Sequence, residues 1–382
     1  MKAPAETWRE ASSLPALSES RSKPVIPAAK PHIILHIGGE KTGTTAIQHT
    51  LARNRKLLLS NGILFPVSPG QDNHLMMAVS AADTAQTLDL RAMLGFDAAA
   101  KADEALAAFP AALAEELAAS GADRVIISNE HCSSRLKRPD EIEKVRDLLS
   151  PLAESVTIIM YLRRQDELLF SSYSTSLKSG RTTPMPIPRS ADSDFFNYPR
   201  ILGLWRDVFG AENIVVRIYH ENWPRNRDLI ADFFEALDIP IPVGQLDMPP
   251  GLPNRRLDPQ IAEFLRIMNK YIRFSENGVV NPLHGLVVQA LAKIPAIQAS
   301  IADPADVTAL LAMFEPSNEA VAREYLHQTE GPLFPPSAEA AGPELPPLDV
   351  ETAVRIAAHV IGFIRRAPAP PAPAQTMPAK KP

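Results

Sequence analysis

The sequence predicts an α/β protein, a central and mainly parallel sheet with helices on both faces, followed by a helical C-terminal part. Three observations carry this expectation. Short β-branched runs alternate with helical patterns as far as Pro240. Those runs are almost continuously apolar, as strands covered on both faces are. Beyond Pro240 no comparable run recurs, and apolar residues return at helical spacing instead.

Taken in chain order, the first strand is His32-Ile33-Ile34-Leu35-His36-Ile37, and the turn Gly38-Gly39-Glu40-Lys41-Thr42-Gly43-Thr44-Thr45 follows at once. The next stretch sets Ile47, Leu51 and Leu58 on one side of a helix. Further strands read at Arg124 to Ser128, Val156 to Leu162 and Asn213 to Tyr219. Helices are expected at Pro199 to Phe209 and Arg227 to Leu237, then at Asp258 to Tyr271, Leu283 to Ala292, Ala305 to His327 and Asp349 to Arg366. In the last of these, Val350, Val354, Ala357 and Ile361 recur at helical spacing and are expected to dock on the core. Met1 to Lys30 lacks periodicity and Ala367 to Pro382 is a Pro/Ala tail, so both are expected to be disordered. The expected organisation is a tail over 1–30, a main domain over 31–335, a linker and terminal helix over 336–366, and a second tail over 367–382.

A net charge of −5 across 382 residues argues against a general nucleic-acid binder or a polybasic membrane-surface protein. Any anion site must be built locally. The single cysteine, Cys132, excludes an intramolecular disulfide and argues against a Cys-based zinc site; it reads as a small buried side chain. No run of about 18 apolar residues occurs, and Met1 to Lys30 has no apolar secretory core, which reads as a cytoplasmic chain with no integral membrane segment.

A glycine turn between a buried strand and a helix converges backbone N–H groups and the positive helix end on one point, which suits a phosphate or sulfate. Lys41 adds a full positive charge there. The order differs from a Walker A loop, in which the lysine follows the second glycine, because Lys41 precedes Gly43. Nor does the turn fit the dinucleotide pattern, since no acidic residue closes the next strand as a ribose ligand. Read blandly, the same residues turn the chain and cap a helix.

The segment IILHIGGEKTGTTAIQ resembles the 5′-phosphosulfate loop of sulfotransferases that use 3′-phosphoadenosine-5′-phosphosulfate (PAPS), especially the bacterial glycan-type branch, with its P-loop-like fold. Downstream, Tyr161-Leu162-Arg163-Arg164-Gln165-Asp166-Glu167-Leu168-Leu169-Phe170-Ser171 is similar to the family's 3′-phosphate motif, an arginine at a strand end with a serine eight residues later. The family often has proline two residues after the arginine; Gln165 stands there in this chain. The stretch from Ile201 to Ile239 is similar to the helix, strand and helix that follow, and a weaker likeness reaches Asn254-Arg255-Arg256-Leu257 and the Phe314 to Phe334 segment. The resemblance implies that Lys41, Thr42, Gly43, Thr44 and Thr45 hold the 5′-phosphosulfate, that Arg163 and Ser171 hold the 3′-phosphate, and that no metal takes part. Chemistry is consistent with this, because the planar guanidinium fork matches phosphate oxygens.

In sulfuryl transfer negative charge grows on the leaving phosphate, so an ammonium aimed there stabilises the transition state most. Lys41 is the expected source. A hydroxyl acceptor also needs a base. The strand Arg124 to Ser128 ends in Asn129-Glu130-His131, at the edge where parallel strands bring their C-termini together; Glu130 is the first candidate and His131 the second. Glu130 could instead pair with Arg135. His74 is expected on a loop over the site, contacting the acceptor, and His36 within the core. The basic segment Leu177 to Arg206, with Lys178, Arg181, Arg189, Arg200 and Arg206, reads equally as an acceptor lid or a solvated loop. A saccharide or small hydroxylated molecule is the expected acceptor. Rival readings are a P-loop kinase or NTPase and a non-catalytic nucleotide-binding module; oligomeric state is not legible.

Overall fold

The structure is a computed structural model that describes residues 30–96, 99–219, 226–249, 257–276, 279–295, 304–334 and 347–366. In chain order the elements are β1 His32–Gly38, α1 Thr44–Arg53, α2 Arg55–Ser60, β2 Ile63–Leu64, α3 Met76–Ala81, α4 Leu88–Met93, α5 Ala99–Ser120, β3 Arg124–Ser128, α6 His131–Arg135, α7 Pro139–Leu149, β4 Ser155–Leu162, α8 Gln165–Lys178, α9 Tyr198–Phe209 and β5 Ile214–Ile218. Then come α10 Asn226–Ala236, α11 Pro259–Met268, β6 Ser275–Glu276, β7 Val279–Val280, α12 Pro282–Leu291, α13 Pro304–Tyr325 and α14 Val350–Ile364.

The main sheet has five strands in the order β2-β3-β1-β4-β5, and every neighbouring pair is parallel. β1 is central because its alternation is apolar on both faces. Ile33, Leu35 and Ile37 join a core that takes in Leu113 of α5, Val145 of α7, Trp205 of α9 and Phe314 of α13. Ile34 faces the opposite way, into a core with Ile47 and Leu51 of α1 and Ile230 and Phe233 of α10. The expected three-layer α/β architecture is the one observed, and burial on both faces explains why the strands read as unbroken apolar runs.

Topology positions the site. From β1 the chain moves outward to β2, returns to β3, crosses β1 to β4, and continues outward to β5 on the other side. The crevice at the C-terminal ends of β3, β1 and β4 lies where the winding reverses, the usual ligand position in open parallel sheets. The pairing of β1 with β4 slips by one residue between His36 and Gly38, an irregularity at the strand end that feeds the glycine turn.

Three expectations are corrected. Of the expected row, Val350, Val354 and Ile361 do not dock, being 81%, 62% and 58% exposed, while Ala357 packs at the edge of the core and Thr352, Ile356 and Val360 face inward. α14 gathers Glu351, Arg355 and His359 on one side and a wide apolar arc on the other, and the docked row is one flank of that arc; the choice of flank comes from the third core, which includes Leu265 of α11 and Leu291 of α12. The region beyond Pro240 is not wholly helical, because β6 and β7 form an antiparallel pair. The first helix breaks at Asn54, whose side chain donates to the Thr50 carbonyl at 2.7 Å and ends the turn. Among the described residues no helix is long and apolar enough to cross a membrane.

Candidate functional site

The turn between β1 and α1 is wedged between the ends of β3 and β4. A methyl group on Gly38 would come within 2.7 Å of the Glu130 Cα, and one on Gly39 within 2.5 Å of the Tyr161 carbonyl oxygen, so the backbone fits only without side chains there. Lys41 holds φ at 63°, a left-handed conformation that a lysine adopts at a cost. Thr42 is buried, and its hydroxyl donates to the Gly39 carbonyl at 2.6 Å, closing the turn on itself. Thr44 is buried and Thr45 exposed. No side chain caps α1 and no acidic residue stands in its first turn, so its positive end keeps its capacity for an anion.

Arg163 stands at the end of β4 and is 6% exposed. Its Nη1 donates to the Lys41 carbonyl at 2.7 Å, its Nε lies 3.5 Å from Glu167 Oε2, and its guanidinium carbon sits 5.1 Å from the Tyr219 ring centre. The expected phosphate ligand is thus joined directly to the turn that carries Lys41. Arg164 turns away into a two-pronged pair with Asp166 at 2.7 and 2.8 Å. Ser171 is half-buried on α8, one turn beyond Glu167 and therefore on the same helix face. Lys178 lies seven residues further along that face. Burial lowers its ammonium pKa, and the charge of Lys41 lowers it further.

Glu130 follows β3 and precedes α6. Gln48 Nε2 donates to its Oε2 at 2.7 Å, and Asn73 Nδ2 lies 3.3 and 3.2 Å from its two oxygens. It does not pair with Arg135, which bonds Asp89 at 2.7 Å instead. His131 points elsewhere: its Nδ1 is 3.5 Å from Glu40 Oε1, at the outer limit of a hydrogen bond. Burial raises the Glu40 carboxyl, but the polar side chains of His131 and Ser134, set too far for well-formed hydrogen bonds, and the charges of His131 and Lys41 outweigh it and hold the group at about 2.

His74 is a correction. It does not lie open over the site but is fully buried, with Nδ1 accepting the Ser128 N–H at 3.0 Å and its ring 4.4 Å from that of Phe65. Burial and the charge of Arg55 bring its imidazole down to about 3 against the pull of the Pro66 carbonyl, so it is neutral and closed to an acceptor. His36 is in the core as expected, bonded to Ser128 Oγ at 2.9 Å. Cys132 is fully buried. In the basic segment, Arg200 pairs with Asp194 and Arg206 with Asp207. Asn254, Arg255 and Arg256 lie outside the described residues.

Sequence reasoning gave no role to Glu40, Gln48 or Asn73. Gln48 closes the loop-and-helix segment that was singled out, and Asn73 is the neighbour of His74, so position was signalled while side-chain direction was not.

No protein-family model matches the chain, and no solved structure matches it. A curated protein of Archaeoglobus fulgidus, described as an uncharacterized protein, is 35% identical over 106 residues, which make up 27% of this chain and 27% of that protein. The chain thus matches about a quarter of that relative's length.

Proposed function

We propose that this chain transfers a sulfuryl group from PAPS to a hydroxyl or amine of an acceptor, a saccharide foremost. The observation that carries the reading is the meeting, at one crevice, of the Lys41 turn, the Arg163 guanidinium bonded to that turn at 2.7 Å, and the Glu130 carboxylate. Helix end, ammonium and guanidinium together suit a nucleotide with two separate anionic groups better than a single bound ion. Lys41 and the first turn of α1 take the phosphosulfate end, and Arg163 with Ser171 takes the ribose phosphate. The acceptor oxygen bonds to sulfur as the bond from sulfur to the phosphate oxygen breaks; the electron pair stays on that oxygen, beside Lys41. The acceptor's proton passes to Glu130. Charge on the leaving phosphate is met by side chains and backbone dipoles, so the reading requires no metal.

Calorimetric titration with 3′,5′-adenosine bisphosphate, and separately with ATP and Mg²⁺, tests the nucleotide. Binding of the first alone is expected; binding of the second alone points to a kinase or NTPase. Transfer of label from [³⁵S]PAPS to a saccharide panel tests the reaction, and bisphosphate binding without PAPS turnover points to a non-catalytic module.

A further inference from the structure

The residue types around Glu130 form an ordered chain of amides. Gln48 is on α1, the helix whose N-terminus faces the phosphate turn, and it is only 3% exposed. A carboxylate accepts and never donates, so the Gln48 amide must present its nitrogen to Glu130 Oε2, at 2.7 Å. The same nitrogen reaches Ser128 Oγ at 3.3 Å, and Ser128 in turn bonds His36 Nδ1 at 2.9 Å. On the other side, the fully buried Asn129 donates from Nδ2 to Asn73 Oδ1 at 2.5 Å. That bond fixes which way the Asn73 amide faces and leaves its Nδ2 toward Glu130. Each amide is therefore oriented from behind, and burying Gln48 with both hydrogen-bond partners in place avoids an unsatisfied polar group.

We infer that Gln48, with Asn73 opposite, is a positioning residue that fixes the Glu130 carboxylate for proton abstraction from the acceptor. The inference rests on the sulfotransferase reading. Oε2 is tied to α1 by the short bond, and Oε1 has only the long contact to Asn73, so Oε1 is the oxygen that takes the proton. Because Gln48 lies one turn beyond Thr44 on α1, the element that grips the phosphosulfate also sets the base, and the two are held in one rigid register. Lys41 neutralises the leaving group independently of this arrangement.

The test is a double-mutant cycle in the full chain, with Gln48→Ala, Glu130→Gln and the pair together. Turnover is read as release of 3′,5′-adenosine bisphosphate from PAPS, with water as acceptor and again with the saccharide panel, and nucleotide affinity is read by calorimetry. Gln48→Ala is expected to lower kcat by about 10- to 100-fold while nucleotide affinity changes by less than about threefold. In the Glu130→Gln background the same change is expected to cost nothing further. Losses that multiply instead would make Gln48 a packing residue and overturn the inference while leaving the sulfotransferase reading intact. Wild-type chain that binds the bisphosphate but never turns over PAPS also overturns it. If the wild type binds no bisphosphate, the reading beneath it falls too. Should Gln48→Ala fail to fold, Asn73→Ala, on the other side of the carboxylate, takes its place in the cycle with the same outcomes.

Discussion

Arg163 Nη1 donates to the Lys41 carbonyl at 2.7 Å, so the guanidinium at the end of β4 braces the turn at the end of β1. One side chain thereby holds the shape of the loop and, under the proposed function, one phosphate of the nucleotide. A hydrogen bond from a charged group is worth about 1.5–3 kcal/mol. Arg163→Ala is expected to weaken 3′,5′-adenosine bisphosphate binding by about 10- to 100-fold and to lower Tm as well. Arg163→Lys should restore neither in full, because a point charge cannot reach the carbonyl, Glu167 and a phosphate at once. Calorimetry beside thermal melting checks both losses.

Lys41 offers a way to separate chemistry from folding. Its φ of 63° is unfavourable for any side chain, so Lys41→Gly relieves strain while removing the ammonium. Tm is expected to hold or rise, and PAPS turnover to fall by about 100- to 1000-fold, the scale of losing a transition-state donor. Turnover that survives the change would show that charge at the leaving group comes from elsewhere, with Arg163, bonded to the same turn, the first candidate.

The four longer strands of the main sheet were legible because burial on both faces writes an unmistakable pattern, whereas the two-residue edge strand β2 was missed: β3 agrees with its expected bounds, and β1, β4 and β5 differ by a residue at one or both ends. What failed was direction. A helix whose apolar arc is as wide as that of α14 does not reveal which row of the arc docks, since neighbours far away in sequence decide. The same holds at the site, where β3 announced Glu130 and His131 together, yet the first turns toward Gln48 and Asn73 and the second toward Glu40. His74 and Asn73 were exchanged in role for that reason. Neighbouring residues diverge in space, and sequence gives their chemistry without their aim.

Glu40 adds an acid-sensitive element to the phosphate turn. Its carboxyl is held at about 2, below the ordinary 4.5, so the stabilisation is complete above the ordinary value and is lost as pH falls toward 2. Glu40→Gln is therefore expected to cost on the order of 3 kcal/mol at neutral pH, with the gap to wild type narrowing from about pH 4.5 and closing toward about pH 2. Urea unfolding of both proteins across that range gives the difference directly. A gap that does not narrow on acidification would assign the loss to packing.

The two buried imidazoles set an earlier acid limit. Burial alone brings His36 to about 3, and burial with the Arg55 charge brings His74 to about the same value, both far below the ordinary 6.5. The unfolded chain therefore binds protons that the folded one refuses. Stability is full above 6.5 and falls as pH drops from there toward 3, by up to about 1.4 kcal/mol per pH unit for each histidine. Loss of stability should thus begin well above the carboxylate range. His74→Asn keeps an acceptor for the Ser128 N–H but cannot titrate, and it gives up the ring contact with Phe65. It is expected to be less stable than wild type at pH 7 and yet to lose stability less steeply between pH 6.5 and 5, because the step at His74 is gone while His36, and His32 and His284 that burial also lowers, still titrate. Unfolding free energies at three pH values measure both slopes. Parallel slopes would mean that the His74 ring gains its proton without leaving the core.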